Sequence, residues 1–169
     1  MKKITSHAHK TERGQSLVEL GISLMILLML LTGAVETSLA LFQFVTIRDA
    51  AQEGALYGSI AMQDAATVGE AVQGIQWRAI QTADDVVAIG PNNIEVFINK
   101  TIPITTASTT VAEYCEGAIG ILTNSIKVDI SFQHPITFPF VAAMTGQEVI
   151  NLHASATNTI LQPACPLPP

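Results

Sequence analysis

Hydrophobic residues form one long run near the start of the chain. From Leu17 to Ile47 almost every residue is apolar, and the stretch Leu20–Val35 carries no charge. A bilayer core about 30 Å thick needs about 20 residues of α-helix, and a helix satisfies its own backbone hydrogen bonds in lipid. The run therefore predicts a transmembrane helix, which we expect to extend past the membrane to about residue 60.

Beyond this run the apolar positions become periodic. From about Ala65 to Val87 they recur at helical spacing, which predicts a second helix before the turn signal Gly90-Pro91-Asn92-Asn93. Three later segments alternate apolar and polar residues and predict strands. Their apolar positions are Ile94, Val96 and Ile98; Ile126, Val128, Ile130 and Phe132; and Ile150, Leu152, Ala154 and Ala156.

These elements predict an α+β fold. A long N-terminal transmembrane helix would extend into a small exported domain with a second helix and an antiparallel sheet of three or more strands. The segment from His134-Pro135 to Pro139 is interpreted as a connection between two strands. The Thr-rich stretch 101–123 and the Pro-rich tail 162–169 receive no element.

Charge supports the membrane assignment and its orientation. Apolar residues make up 49% and charged residues 13% of the chain, against about 25% charged in soluble domains. Four basic residues precede the run and only Arg48 follows it closely, which predicts a cytoplasmic N-terminus. From Arg48 onward, four basic residues face eleven acids, so no basic patch for nucleic acid is expected. The basic residues before the run are Lys2, Lys3, Lys10 and Arg13.

Three other interpretations of the apolar run are weaker. A cleaved secretory signal needs a shorter apolar core without glutamates, and Ser38-Leu39-Ala40 matches its cleavage site poorly. A lipoprotein needs a cysteine directly after the run. The helix could also be the buried core helix of a soluble protein, but the rest of the chain is too small to cover it.

Cys115 and Cys165 both follow the apolar run. They are expected to form a disulfide in an oxidising compartment, and the alternative is two free thiols.

Two glutamates interrupt the apolar run. Carboxylates in lipid are costly and are usually functional or paired, although Glu19 and Glu36, about 25 Å apart along a helix, could also mark the two interfaces. Glu19 is the fifth residue after Gly14, which ends a basic leader. This arrangement resembles the processing site of type IV prepilins. The resemblance implies cleavage between Gly14 and Gln15 by a prepilin peptidase, and a role for Glu19 in subunit addition.

The stretch from Gly14 to Ser59 resembles the TadE-like family, pilin-like proteins of tight-adherence (Tad) pilus systems. Gly14, the early Glu19, the later Glu36 and the alanine-rich segment 50–55 carry the resemblance. It implies assembly roles for Glu19 and Glu36. Leu20 stands where the small major pilins carry tyrosine, and the chain is longer than theirs. These departures favour a minor pilin.

Small residues recur at Ala50, Gly54 and Gly58, every four residues on one predicted helix face. Such spacing allows close helix packing, although a chance cluster in an alanine-rich segment gives the same pattern. The chain has no Walker-type loop, C-x-x-C or H-E-x-x-H motif, so neither an enzyme nor a cofactor is expected. His134 and His153 are expected at the surface of strands rather than in a metal site.

The leading hypothesis is a minor pilin-like subunit for assembly or function of a Tad (type IVc) pilus, involved in adhesion or secretion. It divides the chain into a cleaved cytoplasmic leader (1–14), a transmembrane and extended helix (15–60) and an exported domain (61–169). Its partners would be a prepilin peptidase, other pilin-like subunits, the assembly machinery and membrane lipid. It places the chain in the bacterial inner membrane. The alternatives are a signal-anchored extracytoplasmic binding module and a pseudopilin of a type II-like secretion system.

Overall fold

The computed structural model describes residues 12–61, 68–98, 102–104 and 125–160. The chain divides into two compact units, which are described separately. The first contains the chain up to Ser38 together with Ile136–Glu148. The second contains Leu39–Pro135 and the chain from Val149 onward.

One helix, α1, runs without interruption from Glu12 to Ala61. No proline interrupts it, and Gly58 and Ser59 lie inside it rather than ending it. The large apolar side chains between Leu17 and Leu31 are exposed, except for the partly buried Met29, and the segment is strongly apolar. Helix α1 is therefore long and apolar enough to cross a membrane, and the predicted long helix is confirmed.

The second predicted helix is also confirmed, although it begins later and ends earlier than the sequence predicted. Helix α2 spans Val68–Ala83, and Val72, Ile75 and Ala79 of its inner face are buried. A 3-10 turn at Pro91–Asn93 then leads into the sheet. Asn93 secures this turn, because its side chain accepts a hydrogen bond from the Gly90 amide and donates one to the Ser131 carbonyl.

The sheet is antiparallel and has the strand order β2-β1-β3-β4 in the described part of the chain. Its strands are β1 (Ile94–Ile98), β2 (Ile102–Ile104), β3 (Ser125–Pro135) and β4 (Val149–Thr159). The three predicted strands are all present, and β2 is an addition at the edge. Pro103 fits that position because an edge strand tolerates a missing amide donor. The predicted α+β class is confirmed.

The hydrophobic core belongs to the second unit. It lies between the two helices and one face of the sheet. The apolar residues that alternate along β1 and β3 therefore point into the core and are buried, whereas most of the residues between them are at least partly exposed. The main contributors are Ile47, Ala51 and Ala55 of α1, Val72, Ile75 and Ala79 of α2, and Val96, Ile126, Val128 and Ile130 of the sheet. The opposite sheet face carries mainly polar residues, together with Phe97.

In the first unit, the β3–β4 connection contains a short helix that the sequence did not predict. Helix α3 spans Pro139–Thr145, with proline at its first position, where a missing amide costs nothing. Gly146 ends it with a left-handed backbone (φ 67°) and donates to the Ala142 carbonyl. The amide of Ile136 donates to the Glu148 carbonyl at 2.9 Å and closes the base of the connection.

Candidate functional sites on the long helix

The predicted processing site lies in the first turns of α1. Gly14, Gln15 and Glu19 are all exposed, and a Cβ added at Gly14 would meet no atom within 4 Å. Gln15 and Glu19 are four residues apart in a helix, so their side chains share one face. The segment is accessible along its length, and cleavage after Gly14 stays a prediction.

Glu36 is buried, with 2% of its surface exposed. One carboxylate oxygen accepts a hydrogen bond from the Thr137 amide at 3.1 Å, and the other lies 3.2 Å from the amides of Thr137 and Phe138. Phe138 is the N-cap of α3, so these donors precede the helix and have no partner within it. The carboxylate thus satisfies two amides that an apolar environment would otherwise leave unpaired.

The structure gives Glu36 partners that the sequence did not indicate. The sequence predicted an interfacial or assembly residue, whereas the structure gives the side chain backbone partners in its own chain, 101 and 102 residues further on. No local pattern around Glu36 could identify those partners. A usable signal was the uncharged stretch 136–147, which begins directly after a strand and carries Pro139 and Gly146 as helix boundary residues. A role in assembly stays a prediction.

The small-residue face of α1 packs against α2 and the sheet of the same chain. Ala50, Gly54 and Gly58 are buried, and a Cβ added at Gly54 would lie 3.4 Å from Cβ of Ala79. At Gly58 an added Cβ would lie 2.6 Å from Cδ1 of Ile126, which is closer than carbon atoms can approach. Glycine at position 58 therefore permits the close approach of α1 to the core.

His134 is buried (3% exposed), so its expected surface position is wrong. Its Nδ1 atom lies 2.7 Å from Oε1 of Gln43, and this hydrogen bond links β3 to α1 within the second unit. Buried polar groups are generally paired in this way. His153 is exposed as expected. No group of three potential ligands that could hold a metal occurs among the described residues.

Two ion pairs lie near the surface of the second unit among its described residues. Arg78 of α2 donates to Oε1 of Glu53 of α1 at 2.7 and 2.9 Å, and both side chains are more than a third exposed. Lys127 contacts Asp129 at 2.6 Å and lies 5.4 Å from the ring centre of Phe97. Both ion pairs lie near the surface, and neither of them places a nucleophile beside a base.

The predicted disulfide partners Cys115 and Cys165 lie outside the described residues.

One part of this chain is similar to a known protein family. The family model described as TadE-like protein matches residues 14–56, from the glycine of the predicted processing site to the alanine-rich turns of α1. No curated protein and no solved structure matches the chain. In the described part of the chain one helix, α1, is long and apolar enough to cross a membrane, and together with the family match it indicates a membrane-anchored single-pass protein. Residues 14–56, which include Gly14, Glu19 and Glu36, are a TadE-like segment, and the resemblance expected from the sequence is confirmed.

Proposed function

We propose that the chain is a minor pilin-like subunit that serves assembly or function of a Tad (type IVc) pilus, in adhesion or secretion. The observation that carries this proposal is the family match over residues 14–56, which begins at Gly14. The function is structural. The subunit waits in the bacterial inner membrane with its N-terminus in the cytoplasm, and its partners are other pilin-like subunits and the assembly machinery.

In this proposal a prepilin peptidase cuts between Gly14 and Gln15. The new ammonium on Gln15 would stand at the N-terminus of α1, where the helix dipole disfavours positive charge. Glu19 follows one turn later and offsets that cost, either in its own chain or in a neighbouring subunit. Since both charges would be desolvated among packed helices, each requires the other. The exposure of Gly14, Gln15 and Glu19 supports access by both the peptidase and a neighbour.

Intact mass of the protein from cells with and without a prepilin peptidase tests the proposal. We expect a mature chain starting at Gln15 only where the peptidase is present. Gly14→Val should abolish processing, whereas Gly21→Val, also at an open helix position, should leave it unchanged. An unprocessed N-terminus in both strains would contradict the proposal and favour a signal-anchored extracytoplasmic binding module.

A further inference from the structure

The connection between β3 and β4 is unusually apolar for a loop at the end of two strands. Residues 136–147 contain no charged side chain, and α3 within them consists of Pro, Phe, Val, Ala, Ala, Met and Thr. Met144 is 73% exposed and Phe140 is half-buried. A helix with apolar residues on all sides is normally covered by protein or by lipid.

This connection belongs to the same compact unit as the most apolar part of α1. A groove of about 680 Å³ within that unit is lined by Ile26, Leu30 and Ala34 of α1 and by Phe140, Val141 and Met144 of α3. The volume falls within the range of about 300–1,000 Å³ typical of small-molecule sites. The groove is open along one side and presents mainly carbon atoms.

The hydroxyl groups that line the groove do not make it polar. Thr37 donates to the Gly33 carbonyl at 2.8 Å, Ser38 to the Ala34 carbonyl at 2.7 Å, and Thr145 to the Val141 carbonyl at 2.9 Å. Each hydroxyl proton is therefore used within its own helix, which is how such side chains are accommodated in transmembrane helices.

The position of the groove along α1 determines what surrounds it. The lining residues of α1 extend from Ile26 to Ser38, which is about 18 Å of helix. Most of them fall in the uncharged stretch Leu20–Val35, which must lie in the hydrocarbon if α1 crosses the membrane. Because α3 lines the same groove, α3 lies at the same depth. The bilayer that covers Ile26 and Leu30 therefore also covers Phe140 and Met144.

Non-helical backbone at membrane depth requires partners for its polar groups. Glu36 meets this requirement for the amides of Thr137 and Phe138, and the Phe138 carbonyl accepts from the amides of Val141 and Ala142. The carboxylate is in turn held by these donors and screened from lipid by burial. The Glu36 carboxylate thus satisfies the amides of the loop, and those amides satisfy the carboxylate.

The geometry points to a membrane-inserted loop: residues 136–147 enter the leaflet that surrounds Ile26–Ser38, and a lipid acyl chain occupies the groove between α1 and α3. Lipid is the occupant because the groove continues the apolar surface that α1 presents to the bilayer. Glu36 is a positioning residue that fixes the loop beside α1. This inference depends on the membrane anchor and not on the pilus role.

Depth-dependent fluorescence quenching tests the inference in the full chain. The protein has one tryptophan, Trp77, which is 60% exposed and belongs to the second unit. Met144→Trp in a Trp77→Phe background is reconstituted in vesicles of equal parts phosphatidylcholine and phosphatidylglycerol, with or without bromine on the acyl chains. We expect its emission to be quenched severalfold more by brominated lipid than by aqueous iodide. Trp77 of the unchanged protein should show the reverse order.

Two other results would overturn the inference. Quenching of Met144→Trp by iodide, as for Trp77, would place the loop in water. Protection from both quenchers would mean that protein, such as α1 of a second copy, covers the groove instead of lipid. Phe140→Trp provides a second position if circular dichroism shows that Met144→Trp is not folded. The vesicles contain no peptidase or other pilin, so failure here is distinguishable from failure of the proposed function.

Discussion

The carboxylate of Glu36 accepts a hydrogen bond from the backbone amide of Thr137 at 3.1 Å, although 101 residues separate the two. One partner is an acid in the apolar helix α1, and the other precedes α3 in the β3–β4 connection. Neither group could be left alone at membrane depth, because an unpaired amide or carboxylate in hydrocarbon is costly. The contact therefore explains how an acidic residue and a non-helical loop coexist in the first unit.

Removing the Glu36 carboxylate should loosen the loop. Hydrogen bonds to charged groups contribute about 1.5–3 kcal/mol each, so Glu36→Ala should lower hydrogen-exchange protection of the Thr137 and Phe138 amides about 10- to 100-fold. Glu36→Gln keeps one carbonyl oxygen that can accept a hydrogen bond. Its hydrogen-exchange protection should therefore lie between that of Glu36→Ala and that of the unchanged protein. Exchange measured by mass spectrometry in detergent micelles resolves the loop peptide.

Glu19→Gln is the matched control, because Glu19 is also an acid of the apolar run but is exposed. It should leave protection of the loop unchanged. Equal protection in Glu36→Ala and the unchanged protein would show that the loop is held by its own helix and strand contacts, without a contribution from the carboxylate.

The elements that depend on local periodicity could be predicted from the sequence, and those that depend on distant partners could not. The strands β1 and β3 follow from alternation of apolar residues, and α1 follows from the length of its apolar run. Helix α3 was missed because Pro135 and Pro139 suggested a simple connection, and seven residues are too few for periodicity to show. The burial of His134 and Glu36 was also missed, since Gln43 and Thr137 are far away in sequence.

Alanine should destabilise the protein at only one of the two buried glycines of α1. At Gly58 the added methyl group would meet Ile126 and Ile75 at 2.6 and 2.9 Å, and overpacking of this kind costs about 1–3 kcal/mol. At Gly54 the nearest atom is 3.4 Å away, so the gain in helix propensity, up to about 1 kcal/mol, should prevail. Thermal unfolding should therefore give a lower midpoint for Gly58→Ala and an equal or higher one for Gly54→Ala. A raised midpoint for Gly58→Ala would mean that the isoleucine ends shift without cost.

The hydrogen bond between His134 and Gln43 should appear as an energetic coupling. Each residue is changed to alanine alone and in combination, and the free energy of unfolding is measured by denaturant titration. We expect a coupling energy of about 0.5–1.5 kcal/mol, because either single change already removes the hydrogen bond that the two side chains share. His153→Ala, on the exposed side of β4, should show no coupling to Gln43→Ala. Additive effects of the His134 and Gln43 changes would contradict the contact.

The ion pair between Arg78 and Glu53 should contribute little to stability. Both side chains are more than a third exposed, and such pairs are typically worth about 0–1 kcal/mol in water. Arg78→Ala should therefore lower the free energy of unfolding by less than about 1 kcal/mol, and added salt should reduce the difference. A larger or salt-independent loss would indicate that the packing of the Arg78 stem between the helices matters more than its charge.

Glu19→Ala should separate processing from assembly in cells that produce the complete pilus system. The change lies four residues after Gln15, so cleavage after Gly14 should continue and the mature mass should be seen. Insertion among packed helices would then bury the Gln15 ammonium without a partner, which costs about 3–5 kcal/mol, or more than about a hundredfold in an equilibrium. The mature subunit should remain in the membrane fraction and be lost from sheared filaments, whereas Glu70→Ala, at an exposed acid of α2, should assemble normally. Normal incorporation of Glu19→Ala would eliminate the charge pair, because the ammonium would then have to be accommodated without that carboxylate.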